Sequence, residues 1–138
     1  MKKKAPVRRS TCPISCALDL IGDRWTLIVL RDLIVVRKRY FQELLEGNEG
    51  IATNILASRL KLLEAAELVT RRPDPGPGRR VTYAPTEKAL DLLPVLIELI
   101  HWSLKYSPGS SASADLLRRL THDRAGFIAD LRMAHGIP

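Results

Sequence analysis

The stretch from residue 50 to residue 83 constrains the fold more than any other part of the chain. Within residues 52–66, leucines recur at 56, 60 and 63, and this spacing predicts an amphipathic helix. Short strand-like runs follow at 68–72 and 81–84, and the Gly- and Pro-rich residues between them suit only a turn. Helix, strand, turn and strand in this order predict a winged helix-turn-helix. That fold is mainly α with a small β-hairpin wing, and its second helix can enter a DNA major groove.

The outward face of this predicted helix is small and polar, which suits contact with DNA. Amide and hydroxyl groups can reach base edges, and a bidentate Asn–adenine pair discriminates by about 1–3 kcal/mol. Arginines flank the hairpin turn and suit phosphates or the minor groove, although only one of Arg71 and Arg72 is expected to face DNA because strand residues alternate. The same side chains also fit an ordinary solvated surface. The predicted DNA-binding residues are Thr53, Asn54, Ala57, Ser58, Lys61, Arg72, Arg79, Arg80, Lys38 and Arg39.

Helices are predicted on the N-terminal side of this unit. Pro13 suits the first turn of one helix, which Gly22 ends, and Asp23 suits the cap of a second. The second helix is apolar nearly all round, so we expect it to lie in the middle of the fold. A short strand at 40–41 and a helix at 42–46 are expected before the turn at 48–50.

On the C-terminal side, a long helix is predicted from the cap Thr86 to about residue 106, kinked by Pro94. Its apolar residues cover too much surface for one core contact, so a second face is expected to meet a partner subunit. A small-residue linker precedes a last helix at about 114–133. The predicted organisation is a basic flexible arm at 1–11, a DNA-binding domain with dimerisation helices at 12–106, and a linker with a C-terminal helix at 107–138.

The charge of the chain favours a polyanionic partner. The net charge is +7 and the pI about 9.8, which on charge alone suits both nucleic acid and an acidic membrane surface. Aromatic residues are only 5%, which is poor for stacking single-stranded bases. The most apolar run, 27–36, is too short to span a membrane and is interrupted by Arg31 and Asp32. Double-stranded DNA is therefore the expected partner, and the cytoplasm the expected location.

The two cysteines are the candidates for chemistry. Cys12 lies beside a predicted helix N-terminus, which favours the thiolate, and Arg8 and Arg9 act in the same direction. Cys16 suits either a core position or a partner for Cys12. The Cys-x-x-x-Cys spacing and three scattered histidines predict neither a redox dithiol nor a metal site, so no enzyme activity and no cofactor are expected. A thiol redox enzyme and a basic peripheral membrane protein stay open as alternatives.

Several segments resemble HxlR-type transcriptional regulators. After the Cys-Pro pair at 12–13, similar segments follow in family order: ALDLIGDRWTL (17–27), RYFQEL (39–44), LASRLKLLE (56–64), LVTR (68–71), YAPTEKA (83–89) and LLPVL (92–96). The resemblance implies a dimeric bacterial winged-helix regulator, related in fold to the MarR group, that binds inverted-repeat operators. Several such regulators respond to reactive small molecules or oxidants through the cysteine of this pair. That role would fall to Cys12 here.

The chain departs from the family pattern at three places. Ala52 stands where a serine N-cap is usual, so Thr53 is expected to cap the recognition helix instead. Residues 66–67 read Ala-Glu in place of a pair that ends in glycine. The predicted helix beyond residue 113 is longer than the common family core.

Overall fold

The computed structural model describes residues 9–78 and 80–138. Within that part, the chain is mainly helical and has one short hairpin, as the sequence predicts. The elements are α1 (Pro13–Ile21), α2 (Arg24–Ile34), α3 (Phe41–Leu45), α4 (Thr53–Ala65), β1 (Val69–Pro73), β2 (Val81–Pro85), α5 (Glu87–Leu90), α6 (Leu93–Tyr106), α7 (Ala114–His122) and α8 (Arg124–Ala134).

Helix α2 lies at the centre of the core. Its N-cap is Asp23, whose side chain accepts a hydrogen bond from the Trp25 backbone N–H at 3.1 Å. Leu30, Leu33 and Ile34 are fully buried, and α2 packs against both α4 and β2. The predicted cap and the predicted central position of this helix are both confirmed.

Helix α4 buries the three leucines that its periodicity selects, Leu56, Leu60 and Leu63. The expectation that Thr53 caps this helix is wrong. The N-cap is Ala52, which has extended backbone angles and no side-chain acceptor, so Thr53 already lies inside the first turn. The chain leaves α4 through Glu67, whose φ of 60° is the left-handed conformation that glycine usually supplies.

The two strands form an antiparallel hairpin, here called the wing (residues 69–85). Arg71 lies opposite Tyr83, and Arg72 lies opposite Thr82. The strand expected at 40–41 is absent from the described structure. Instead, Glu43 reaches back to accept a hydrogen bond from the Tyr40 N–H at 3.1 Å, and this contact starts α3.

Two predicted long helices are each divided in two. Pro94 does not kink a helix but occupies the first turn of α6, where its missing N–H costs nothing. Asp123 ends α7 with non-helical backbone angles, and its side chain accepts a hydrogen bond from the Gly126 N–H to cap α8.

The C-terminal helix α8 packs on the same core as the preceding helices. Leu131 is buried in that core, and His135 Nε2 lies 2.9 Å from the backbone oxygen of Ile34 at the end of α2. Arg132 forms an ion pair of 2.7 Å with Glu87. The last helix therefore contacts the unit formed by residues 12–106. In the described part of the chain, no helix is long and apolar enough to cross a membrane.

Candidate nucleic-acid interface

The outer face of α4 is a polar surface made of small side chains. Asn54, Ser58 and Lys61 are exposed and, with Ala57 and Leu62, line one shallow open groove. Thr53 is exposed at the start of the same helix. Short side chains let another surface approach the helix backbone closely, while amide, hydroxyl and ammonium groups remain to bind it.

The wing places Arg71, not Arg72, beside this face. Residues directly opposite each other in a hairpin share a face, and Arg71 lies opposite the buried Tyr83. Together with Lys61, these two residues line a cavity between α4 and β1. Arg72 shares the other face of the wing with Thr82. The sequence shows the alternation but not the register, so it cannot say which arginine turns toward α4.

The tip of the wing is held by Tyr40. Its hydroxyl donates a 2.7 Å hydrogen bond to Asp74, and the Arg80 guanidinium lies 3.7 Å from the centre of its ring. The Asp74 N–H donates to the Arg80 carbonyl at 2.8 Å, which closes the hairpin. These contacts position Arg80 at the tip, where it is exposed. Arg79 lies outside the described residues.

The contact between Tyr40 and Asp74 changes the acidity of both groups. The hydrogen bond from Tyr40 is the main reason that the pKa of Asp74 lies below its ordinary value. The same bond raises the pKa of Tyr40, because it favours the neutral phenol. Sequence reasoning did not select Tyr40, since its partner is 34 residues away.

The basic turn at 37–39 divides its side chains between the interior and the surface. Lys38 Nζ lies 2.9 Å from Asp32, a carboxylate that is only 4% exposed and is also bound by Arg31 at 2.8 Å. Lys38 therefore pairs with a buried carboxylate, and its contact with a phosphate stays a prediction. Arg39 is exposed, and its carbonyl accepts a hydrogen bond from the Tyr83 N–H at 2.8 Å.

A second ion pair connects α4 to the start of α2. The Asp23 carboxylate lies 2.6 Å from Arg59 Nε. Burial alone would raise the pKa of Asp23, but hydrogen bonds from Thr26, Arg59 and the Trp25 backbone together lower it. Arg59 also donates from Nη1 to the Ser58 hydroxyl at 3.3 Å.

Comparison with known proteins agrees with this architecture. The HxlR-like helix-turn-helix family matches residues 20–111. The chain belongs to this family. An uncharacterised HTH-type transcriptional regulator of Mycobacterium tuberculosis is 35% identical over 117 residues, which cover 85% of this chain and 71% of that protein. The chain is accordingly a transcriptional regulator of the HxlR type.

Two redox-related structures are similar to this HxlR-type chain. The HTH-type transcriptional regulator YodB of Bacillus subtilis is 35% identical over 72% of this chain and 90% of its own. Its reduced form superposes with a TM-score of 0.61, covering 74% of this chain and all of that one at 30% identity. The oxidised redox regulator HypR superposes with a TM-score of 0.60 at 26% identity, over 68% and 96% of the two chains.

The two cysteines of this HxlR-type chain are free thiols in different surroundings. Cys12 is the exposed N-cap of α1. Cys16 is half-buried and donates from Sγ to the Ser10 carbonyl at 3.2 Å. Arg9 pairs with Asp19 along α1 instead of with Cys12, and Arg8 lies outside the described residues.

The surface of this HxlR-type chain also carries an apolar ridge on α6. The ridge consists of four residues that recur at intervals of four, three and four: Val95, Leu99, Trp102 and Tyr106. They are between 41% and 62% exposed and are hereafter called the α6 stripe. No residue of α1 is buried, and Ile14 and Leu18 are among its exposed apolar side chains. Over residues 9–78 and 80–138, no three His, Cys, Asp or Glu side chains lie close enough to share a metal ion.

Proposed function

We propose that this regulator binds an inverted-repeat operator in double-stranded DNA as a homodimer. The observation that carries the proposal is the exposed small and polar face of α4 with the wing beside it. A helix of this kind fits the major groove, and two-fold related copies would contact half-sites about 34 Å apart, one turn of DNA. A protein with this function acts in the cytoplasm.

The side chains of α4 divide by reach and chemistry. Asn54 and Ser58 are suited to base edges, because amides and hydroxyls recognise the donor and acceptor pattern of the major groove. Lys61 is suited to a phosphate, and Thr53 and Ala57 permit close approach. Asn54 and Ser58 would thus select a sequence, whereas Lys61 would bind any duplex.

The wing supplies contacts to the phosphate backbone. Arg80 is held at the tip by the Tyr40 ring, and Arg71 lines the same cavity as Lys61 of α4. We include Arg39 on its exposure, and Arg72 and Arg79 on the sequence argument alone. Cations at these places bind phosphates of any sequence and make affinity depend on salt.

Selection from a pool of random duplexes tests the function. We expect the parent protein to enrich an inverted repeat whose half-sites are centred about 10 base pairs apart, or a multiple of that distance. The double variant Asn54→Ala/Ser58→Ala should enrich a less defined sequence from the same pool. Recovery of the same unenriched pool by parent and variant would reject operator recognition.

We also propose that Cys12 senses electrophiles or oxidants. The thiol is exposed at the end of a helix that is itself exposed, so a reagent can reach it. The similarity to two regulators with redox forms supports this proposal: YodB has a reduced form, and HypR is a redox regulator with an oxidised form. An adduct that shifts α1 would alter the placement of the two recognition helices.

Operator affinity before and after thiol modification tests the sensor. In the parent we expect a change on the usual scale of allosteric coupling, about 5–150-fold. Cys12→Ser should lose the response, whereas Cys16→Ser should keep it. Equal affinity of the parent before and after complete modification of Cys12 would reject the sensor and leave DNA binding untouched.

A further inference from the structure

The corner between α1 and α2 holds a carboxylate that is bound from two helices. Asp23 accepts hydrogen bonds from the Trp25 N–H and the Thr26 hydroxyl, both in the first turn of α2. It also accepts from Arg59 Nε, at 2.6 Å, on α4. One side chain therefore caps one helix and pairs with another.

The capping role alone does not need a charged residue. Serine and asparagine cap helices about as well as aspartate does. What the carboxylate adds is a charge-assisted bond to a guanidinium, which has a defined direction. The Arg59 side chain is only 22% exposed, so it is held along the protein surface.

Arg59 connects this corner to the outer face of α4. Its Nη1 donates to the hydroxyl of Ser58, one of the residues proposed to contact bases. A chain of two contacts thus runs from Asp23 through Arg59 to Ser58. Without Asp23, a long cation would stand free beside the DNA-facing residues, where it would bind a phosphate of any sequence.

The backbone at the corner fixes the position of the carboxylate. Gly22 comes so close to the end of α1 that a Cβ there would lie 2.3 Å from the Leu18 carbonyl oxygen. This contact leaves no room for a side chain at the corner. The closely packed backbone at Gly22 therefore holds the Asp23 side chain in position to pair with Arg59.

We propose that Asp23 is a positioning residue for DNA recognition. Through its ion pair it sets α4 against the start of α2, and it holds the Arg59 guanidinium on Ser58 and away from the phosphates. The inference rests on the proposed DNA-binding function. It predicts that Asp23 affects the choice of sequence although it does not touch DNA.

The variant Asp23→Ser tests this, because serine keeps the helix cap and removes the partner of Arg59. We expect the ratio of affinities for the selected operator and an unrelated duplex to fall about three- to tenfold, the scale of coupled side-chain pairs. Binding to the unrelated duplex should become steeper in salt, by about 0.9 in the log–log slope, as Arg59 gains a phosphate. A merely structural role would move neither the ratio nor the slope in this direction.

Arg59→Gln is the second test variant, because it removes the cation that pairs with Asp23 and leaves the N-cap of α2 in place. It should lower the same ratio without steepening the slope. The affinity ratio of the double variant should be no lower than that of the poorer single variant, because both changes remove the same Asp23–Arg59 ion pair. Losses that add in the double variant would overturn the inference.

Asp115→Ser is the matched control. It makes the same change of charge at a side chain that is 90% exposed on α7, and it should leave ratio and slope unchanged. Urea unfolding of each variant confirms that it is folded. If the parent prefers an operator and Asp23→Ser prefers it equally, this inference alone is overturned. If the parent prefers no sequence, the proposed function falls and the inference falls with it.

Discussion

Tyr40 shows how one side chain sets the position of the wing. Its hydroxyl holds Asp74 at one side of the hairpin turn, and its ring lies against Arg80 at the other. The phenol is therefore shared between a carboxylate and a guanidinium. Loss of the Tyr40 hydroxyl should change the pKa of Asp74, because the hydroxyl donates its hydrogen bond directly to that carboxylate.

In Tyr40→Phe we expect the pKa of Asp74 to rise toward its ordinary value near 4. The folded pKa of Asp74 is lowered, so the bond stabilises the wing above that ordinary value and is lost as the pH falls through the folded one. NMR titration of the side-chain carboxyl carbon measures the shift. The control Tyr106→Phe, at an exposed tyrosine of α6, should leave the Asp74 titration unchanged. An unchanged titration in Tyr40→Phe would show that the bond from Tyr40 does not lower the pKa of Asp74.

The proposed phosphate contacts are distinguishable from base contacts one residue at a time. Lys61→Ala and Arg80→Ala should each flatten the log affinity–log salt slope by about 0.9, with little change in sequence preference. Asn54→Ala should cost about 1–3 kcal/mol on the selected operator and relax the preference. Fluorescence anisotropy at several salt concentrations separates the two behaviours, with Arg118→Ala on α7 as a charge-matched control. A preserved slope in Arg80→Ala would exclude the tip of the wing from the interface.

At this scale, the sequence predicts contacts within an element better than contacts between elements. The buried leucines of α4 and the cap Asp23 follow from local spacing and local chemistry. The ion pair of Lys38 with Asp32 and the orientation of Arg71 depend on register and packing. Neither has a signature in the neighbouring residues, so the sequence predicts DNA contacts for Lys38 and Arg72 without indicating what surrounds them.

At the scale of elements, the end of α4 carries measurable strain. Glu67 has a φ of 60°, and an L-residue in this conformation costs about 1–2 kcal/mol relative to the right-handed one. Glycine would relieve the strain and lose part of the gain to the greater entropy of the unfolded chain. Replacing Glu67 thus isolates a backbone effect at the junction of the recognition helix and the wing.

We expect Glu67→Gly to raise the free energy of unfolding by about 0.5–1 kcal/mol, measured by urea denaturation. The control Glu64→Gly makes the same chemical change inside α4, where it should lower stability by about 1 kcal/mol. Equal destabilisation by both variants would show that Glu67 is not strained.

The division of two predicted helices has a common explanation. Apolar residues continue at helical spacing through 91–92 and across Asp123, so periodicity alone joins the segments. The decisive signals are chemical ones: a proline suited to the first turn of α6, and an aspartate suited to an N-cap. Both are present in the sequence, but a hydrophobic pattern outweighs them when the packing partners are unknown.

At the scale of the whole molecule, we propose that the α6 stripe contacts a second copy of the chain. Its alternating four- and three-residue spacing is that of helices that pair along their length. The ring centroids of Trp102 and Tyr106 lie 5.6 Å apart, and these two residues are the most exposed of the stripe. Ile14 and Leu18 of α1 are exposed apolar residues as well.

Trp102→Glu should weaken the dimer, because it places a charge in the middle of the stripe. Sedimentation at micromolar concentration should give about twice 15.4 kDa for the parent and a mass shifted toward the monomer for the variant. Met133→Glu, at an exposed apolar position on α8, is the control and should leave the mass unchanged. A monomeric parent that still binds an inverted repeat tightly would contradict the dimer.

The packing of α8 also bears on how long each molecule lasts in a cell. Leu131 and His135 close the underside of α2, so a copy clipped before residue 131 would lose a buried side chain and uncover the helix at the centre of the fold. Such a copy would populate its unfolded form more often and be degraded faster. Proteolysis at the C-terminal end would then lower the abundance of the regulator without altering any residue proposed to contact the operator.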